Sequence, residues 1–265
     1  MTHAALTRID ECREDEASAP PSATTISVVI PAHNEAGNIA ALLQEVCDVL
    51  RERIAFEIVC VDDGSSDDTA QVLRWLAGRM PELRPFQHEA CRGQSVALLS
   101  GVRSARYPWI VTLDGDGQND PADIPSLLAH LEASAPEVKL IAGWRVTRND
   151  GSGKRIASRL ANRVRRVFLH DGTPDTGCGI KLFERTAFLS LPAFNHMHRY
   201  LPALMQRAGW RTISVAVNHR PRESGRSKYT NLGRALVGIR DLLGVAWLVA
   251  RHVRTNSRPV WEERP

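Results

Sequence analysis

Three acidic segments carry the residue types that hold a cation or a phosphate. They are Pro31-Ala-His-Asn-Glu35, Val61-Asp-Asp-Gly-Ser-Ser-Asp-Asp-Thr69 and Asp114-Gly-Asp-Gly-Gln-Asn-Asp120. Each follows a short apolar run. One such segment could be a turn, because Asp-Gly is common turn chemistry. Three converging on one sheet edge would repel one another unless a bound cation or several hydrogen-bond donors offset the charge. Asp114 and Asp116 are two residues apart, so an extended chain places both on one side, with Gln118 next on that side. Hard oxygens at this spacing suit Mg²⁺ or Mn²⁺, with coordination positions left open for phosphate oxygens. An EF-hand loop starting at Asp114 needs Gly at position six and Glu at position twelve. It meets Asn119 and Pro125 there, with an apolar strand-like run before the loop in place of a helix. No GxxxxGK[ST] occurs and no GxGxxG opens a helix after the first strand, so any phosphate must be held by metal and arginines.

The elements that would position these residues alternate. Ile26–Ile30, Glu57–Val61, Trp109–Leu113 and Val138–Ala142 read as buried strands. Glu35–Arg53, Asp67–Ala77, Ser95–Ala105 and Pro121–Leu131 read as helices, with Asn119 and Asp120 as the cap of the last. Continuous apolar strands alternating with helices predict an α/β fold with a mainly parallel sheet covered on both faces. In such sheets ligands bind beyond the carboxyl ends of the strands. After residue 150 the alternation fades. Lys154–Phe168 is a basic helix with Ile156, Leu160, Val164 and Val167 on one face, and Ile213–Asn218 alternates as a strand. Leu232–Val249 is apolar but interrupted by Arg240 and Asp241. Its uninterrupted run, Leu242–Ala250, has nine residues, against about 20 for a membrane span. Two readings stand: a helix lying in a membrane interface, anchored by Trp247 with Arg251 and His252 at its end, or a core helix packed on the sheet.

Residues 1–24 are polar and read as a disordered arm, 25–229 as the main domain, and 230–265 as an interface helix and tail. The 265 residues are 43% hydrophobic with a formal charge of +4. That mild basicity is a weak signal, and no nucleic-acid partner is expected. Five cysteines without a CxxC pair argue against a disulfide framework or a zinc site and for a reducing compartment. The first 25 residues lack an apolar stretch of signal-peptide type, which argues against secretion. His196 and His198, at i and i+2, would not share a helix face, so a local contact is expected of them rather than a metal site.

The segments PAHNE, VDDGSSDDT and the Asp114/Asp116 pair resemble the nucleotide-sugar half of family 2 glycosyltransferases of the GT-A fold. The DxDxQ form, the basic helix and the RxxGxSK pattern at Arg222, Gly225, Ser227 and Lys228 are similar to polyprenyl-phosphate sugar synthases of the dolichyl-phosphate mannose synthase type. The resemblance spans about residues 25–250. It implies that Pro31, His33, Glu35, Val61 and Asp63 line the nucleotide pocket, although His33 stands where the family often has an aromatic or another polar residue. It implies that Asp114, Asp116 and Gln118 hold Mg²⁺ or Mn²⁺, with Asp114 and Gly115 against the donor diphosphate. Arg145, Arg155 and Ser158 are implied at the substrate phosphates, and Arg222 and Lys228 close over the diphosphate from a loop. Asp116, Arg222 and Lys228 are the candidate catalytic residues. Asp175-Thr-Gly-Cys-Gly179 resembles a turn beneath the acceptor. Lys181 departs from the family pattern, where arginine is commoner.

The implied reaction is inverting transfer of a sugar, mannose or glucose by family analogy, from a nucleotide sugar to dolichyl or undecaprenyl phosphate. It would take place peripherally on the cytoplasmic face of a membrane. A lipid monophosphate is already anionic and needs alignment and charge neutralisation, with no base required to remove a proton. Arg155, Arg159 and Arg222 are available for that. The alternatives are a family 2 enzyme with a saccharide hydroxyl acceptor, which needs a carboxylate base near Asp175, and a non-catalytic nucleotide-binding or membrane-scaffolding module.

Overall fold

A computed structural model describes residues 24–145, 165, 168, 169, 171–220 and 231–251, with side chains of the last helix from residue 237. Seven strands form one sheet: β1 (Ile26–Ala32), β2 (Phe56–Asp62), β3 (Leu83–Gln87), β4 (Trp109–Thr112), β5 (Val138–Arg145), β6 (Lys181–Glu184) and β7 (Arg211–Val217). Their order is β3-β2-β1-β4-β6-β5-β7. All neighbouring pairs are parallel except those of β6, which runs antiparallel to both β4 and β5. The mainly parallel α/β sheet expected from the apolar runs is therefore present.

Alternate strand residues feed two cores. Ile26, Val28, Ile30, Ile58, Cys60, Val111 and Leu113 point to one face, where they meet α1 (Ile39–Leu50), α2 (Thr69–Ala77) and α4 (Ile124–Glu132). Val29, Val59, Val61 and Ile110 point to the other, under α3 (Gln94–Ser104), α5 (Arg185–Leu189), α6 (Leu201–Arg207) and α7 (Asn231–Ala250). Burial on both faces is why these strands lack a polar alternation. Gly101 of α3 lets that helix press on the sheet, since a Cβ there would lie 2.4 Å from a methyl of Val29.

The first helix starts at Ile39, four residues later than Glu35, because residues 34–36 use their backbone N–H groups on the neighbouring acidic loop. Pro121–Asp123 is a short 3₁₀ turn leading into α4. Asp120 caps it by accepting from the Ala122 N–H at 2.9 Å, while Asn119 turns back to Asp114. The C-terminal helix packs on the second core, as one of the two readings of its sequence expects. Val245 is buried and Leu242, Ala246, Leu248 and Val249 pack on the second core, while Ile239, Leu243 and Trp247 stand exposed along one face. No helix among the described residues is long and apolar enough to cross a membrane.

Candidate active site

Register brings the acidic segments together. Ala32 ends β1 opposite Asp62, and Thr112 ends β4 opposite Val29. The three loops therefore leave the sheet side by side. The first two are laced together by backbone donors: Asn34 N–H to Ser65 Oγ (2.8 Å), Glu35 N–H to Thr69 Oγ1 (2.9 Å) and Ser66 N–H to Asn34 Oδ1 (2.7 Å). Asn34 itself has φ +57°, a conformation an Asx side chain tolerates. His33 Nδ1 lies 2.9 Å from the Asp63 carbonyl. Glu35 turns its carboxylate back to Asn38 Nδ2 at 2.7 Å.

Asp63 is nearly buried and anchors the loop that precedes α3. It accepts from the Gly93 N–H (2.7 Å) and Arg92 N–H (2.9 Å), lies 2.8 Å from His88 Nδ1 and 3.3 Å from Cys91 Sγ. Burial opposes its ionisation, but these donors outweigh burial and hold its carboxyl below the ordinary range. Gly64, at φ +62°, sits where a Cβ would meet the Ala90 and Cys91 backbone at 2.5 Å, so the second acidic loop needs its glycine. Val61 is fully buried, with a methyl group 3.3 Å from where a Cβ on Gly101 would lie. Its side chain belongs to the core under α3, so only its backbone is left to face the sheet edge.

The Asp114–Asp120 segment is a turn rather than extended chain. Gly117 has φ +73°, and the Gln118 N–H closes onto Asp116 Oδ1 at 3.2 Å. The strand alternation that would align Gln118 with both aspartates therefore ends before it, and its amide nitrogen faces the Arg220 carbonyl at 3.5 Å. Gly115 passes β1 so closely that a Cβ would lie 3.1 Å from the Pro31 carbonyl oxygen. Asp114 is held on several sides. Its N–H donates to Asn119 Oδ1 (2.8 Å), its Oδ1 accepts from Gln94 Nε2 (2.8 Å), and its Oδ2 abuts the backbone of Gly179. Burial and then the Asp116 charge push its carboxyl up to about 6, against the pull of Lys181, Arg145 and Gln94.

The antiparallel strand explains the rest. Lys181 opens β6 opposite Thr112 and Ala142, so the turn before it, residues 175–180, lies at the edge where the parallel strands end. Arg145, ending β5, grips Asp175 with two bonds of 2.7 and 3.0 Å, and both side chains are largely buried. The Gly177 N–H adds a third bond to Asp175 at 3.2 Å. Lys181 is buried and donates to the Cys178 carbonyl, and its burial lowers its pKa. His196 and His198 diverge, as their spacing required: His196 Nδ1 is 2.8 Å from Asp241 of α7, and His198 Nδ1 is 2.7 Å from Ser95 Oγ.

Of the residues singled out from sequence, Pro31, His33, Glu35, Asp63, Asp114, Gly115, Asp116, Gln118 and Arg145 gather at one sheet edge. Arg155, Ser158, Arg159, Arg222 and Lys228 lie outside the described residues. The contacts of Gln94, Gly179 and the Arg145–Asp175 pairing were not foreseen, since each acts on a partner distant in sequence, and Asn119, expected as a helix cap, instead holds the Asp114 N–H.

The donor set at Asp114 and Asp116 fits a hard divalent ion. The neighbouring Asp116 charge raises the proton affinity of Asp114, a strain that a cation relieves. Among the described residues no three or more His, Cys, Asp or Glu side chains close around a metal, and Mg²⁺ is commonly held by one or two carboxylates plus substrate phosphates.

The family model for glycosyl transferase family 2 matches residues 27–191. Among curated relatives, dodecaprenyl-phosphate galacturonate synthase of Rhizobium johnstonii is 34% identical over 249 residues, covering 91% of this chain and 70% of that protein. Undecaprenyl-phosphate 4-deoxy-4-formamido-L-arabinose transferase of Edwardsiella ictaluri is 34% identical over 77% of this chain, which spans 62% of the transferase's length. The solved mannosyl-3-phosphoglycerate synthase from Rubrobacter xylanophilus shares the fold with a TM-score of 0.66 at 15% identity, over 90% of this chain and 79% of its own. Glucosyl-3-phosphoglycerate synthase from Mycobacterium tuberculosis, solved with Mg²⁺ and uridine diphosphate, matches with a TM-score of 0.63 at 18% identity, over 89% and 82%. These neighbours identify the architecture as GT-A.

Proposed function

The chain belongs to glycosyl transferase family 2, and we propose that it transfers a sugar from a nucleotide sugar to a polyprenyl phosphate with inversion at the anomeric carbon. The observation that carries this reading is the engagement of Asp175. The family resemblance puts this carboxylate on the acceptor side, and Arg145 and the Gly177 N–H engage it. A saccharide hydroxyl acceptor needs a base to take its proton. An acceptor phosphate needs none, and the arrangement of Asp175 suits it. The names of the two curated relatives, both acting on polyprenyl phosphates, support the same class of acceptor.

In this reading Asp114 and Asp116 hold Mg²⁺ or Mn²⁺, which would neutralise the charge developing on the leaving diphosphate. Pro31, His33, Glu35 and Asp63 frame the nucleotide, and Arg145 and Lys181 set a positive potential beneath the acceptor phosphate. Arg155, Ser158, Arg222 and Lys228 complete the binding of both phosphates, and Gln118 contributes to the metal corner. The exposed stripe Ile239, Leu243 and Trp247, with exposed Arg240 and Arg251 beside it, rests on an anionic membrane surface. The protein acts peripherally, on the cytoplasmic face. The free Cys47, Cys60, Cys91 and Cys178 accord with that reducing side.

The test is a panel of labelled nucleotide sugars, including glucose, mannose, galacturonate and 4-formamido-arabinose donors. Each is offered undecaprenyl phosphate with Mn²⁺ or Mg²⁺, and the lipid is extracted into organic solvent. Label in the lipid phase, lost in chelator and in Asp116→Ala, is expected. Label transferred only to saccharide hydroxyls would overturn the proposal.

A further inference from the structure

Asp114 receives a side-chain hydrogen bond from the first turn of α3, and that turn is tied to a second part of the protein. Gln94 Nε2 reaches Asp114 Oδ1 at 2.8 Å. The next residue, Ser95, is buried and shares a 2.7 Å hydrogen bond with His198 Nδ1. His198 stands in the short 3₁₀ turn Met197–Arg199, which is fixed at three points. Met197 is buried in the core, His196 meets Asp241 of α7 at 2.8 Å, and the Tyr200 hydroxyl donates to the Gly238 carbonyl of α7 at 3.4 Å. His196 enters that turn with φ +66°, a conformation that costs a non-glycine residue energy and that the surrounding contacts must maintain. A run of contacts therefore leads from the exposed C-terminal helix to one oxygen of the Asp114 carboxylate.

We propose that Gln94 is a positioning residue that orients Asp114 for the donor site, and that the Ser95–His198 bond holds Gln94 in place from the α7 side. The inference rests on the reading of Asp114 as a metal ligand. Two of its contacts leave the carboxylate little choice of orientation. Gly179 blocks movement past Oδ2, and Gln94 fixes Oδ1. A ligating carboxylate works only when its lone pairs are aimed, and the groups that aim it govern affinity almost as strongly as the ligand itself. Burial keeps the His198 imidazole neutral. One ring nitrogen can then act as a plain hydrogen-bond partner of Ser95 without bringing a second cation next to Lys181.

The test measures Mn²⁺ binding to the full-length protein by electron paramagnetic resonance, with thermal melting followed by circular dichroism as the folding control. Gln94→Leu and Ser95→Ala are expected to weaken Mn²⁺ about tenfold with melting little changed. The double variant should lose no more than Gln94→Leu alone, because Ser95 acts through Gln94. His198→Leu should behave like Ser95→Ala. His198→Asn, which keeps a polar atom where Nδ1 lies, should restore binding. If Asp114→Asn abolishes binding while Gln94→Leu and Ser95→Ala stay within twofold of the parent, the positioning role is wrong and the metal reading stands. If Asp114→Asn binds Mn²⁺ as the parent does, the metal reading is wrong and the positioning role goes with it.

Discussion

Gly179→Ala tests the donor corner with the smallest possible change. A Cβ at Gly179 would lie 2.2 Å from Asp114 Oδ2 and 2.4 Å from Asn119 Oδ1, where ordinary contact begins near 3.4 Å. Something must give by about 1 Å. The backbone of residues 179–180 cannot readily retreat, because Thr112 Oγ1 donates to the Gly179 carbonyl at 2.6 Å and the Gly143 N–H donates to the Ile180 carbonyl at 3.0 Å. The displacement therefore falls on the Asp114 carboxylate and on the Asn119 amide that holds the Asp114 N–H. A misplacement of about 1 Å at a reacting site costs on the order of 100-fold in rate, or roughly 2.7 kcal/mol of barrier. Overpacking costs roughly 1–3 kcal/mol of stability, so a folded variant is expected with a lowered melting temperature. The assay is kcat/KM for sugar transfer at several Mn²⁺ concentrations, beside a thermal melt. A folded Gly179→Ala protein with parental kcat/KM and parental Mn²⁺ dependence would show that the Asp114 carboxylate need not stand where this turn places it.

Three further outcomes follow from other parts of the structure. Asp175→Asn leaves the Arg145 guanidinium buried without its carboxylate; it should cost roughly 3 kcal/mol in denaturant unfolding yet slow transfer less than Asp116→Asn, whereas the reverse ranking of rates would mean that Asp175 is a base. Glu57 is buried at the opposite end of the sheet, and burial resists its ionisation, but Ser27 Oγ, the Arg106 N–H and Arg84 hold its carboxyl below the ordinary 4.5. A depressed folded pKa contributes stability that is complete above the unfolded value and is lost as pH falls through the folded one. Glu57→Gln should therefore cost roughly 2 kcal/mol at neutral pH and flatten the acid limb of the stability curve below about pH 4.5, and a parallel pair of stability-versus-pH curves would refute this. Trp247→Ala should reduce co-sedimentation with anionic vesicles by about tenfold, with unchanged sedimentation ruling out that face as the membrane contact.

The central strands were legible because each must bury both faces, which writes a continuous apolar run into the sequence: Ile26–Ile30, Glu57–Val61 and Trp109–Leu113 fall within or one residue past their strands. The two strands that were missed lack that constraint. β3, Leu-Arg-Pro-Phe-Gln, sits at the sheet edge, where Pro85 is tolerated and Arg84 can turn to Glu57 at 2.6 Å. β6 is four residues long and begins with Lys181 and ends with Glu184. Its polar ends are satisfied within the fold, Lys181 at the Cys178 carbonyl of its own entry turn and Glu184 at the distant Lys139. No local pattern announces such a strand.

The unreadable strand is also the one that completes the site. Asp114 and Asp116 have the type and spacing of the proposed cation corner, and Asn119 and Gln118 shape the turn that carries them, yet nothing near them in sequence aims the Asp114 oxygens or balances their charge. Those tasks fall to Gln94, 20 residues earlier, and to residues 175–181 on the approach to β6. Because β6 runs antiparallel, its entry turn meets the exits of β1, β4 and β5, which brings Lys181, Gly179 and the Asp175 partner of Arg145 to the carboxylates. A parallel strand in the same slot would deliver that turn to the far edge, beside Trp109 and Lys139. Asp114 would then lose Lys181 and the Gly179 wall against which Oδ2 is placed. The reversal of one short strand thus converts an acidic sheet edge into a site where basic groups offset the charge and the Asp114 oxygens are aimed.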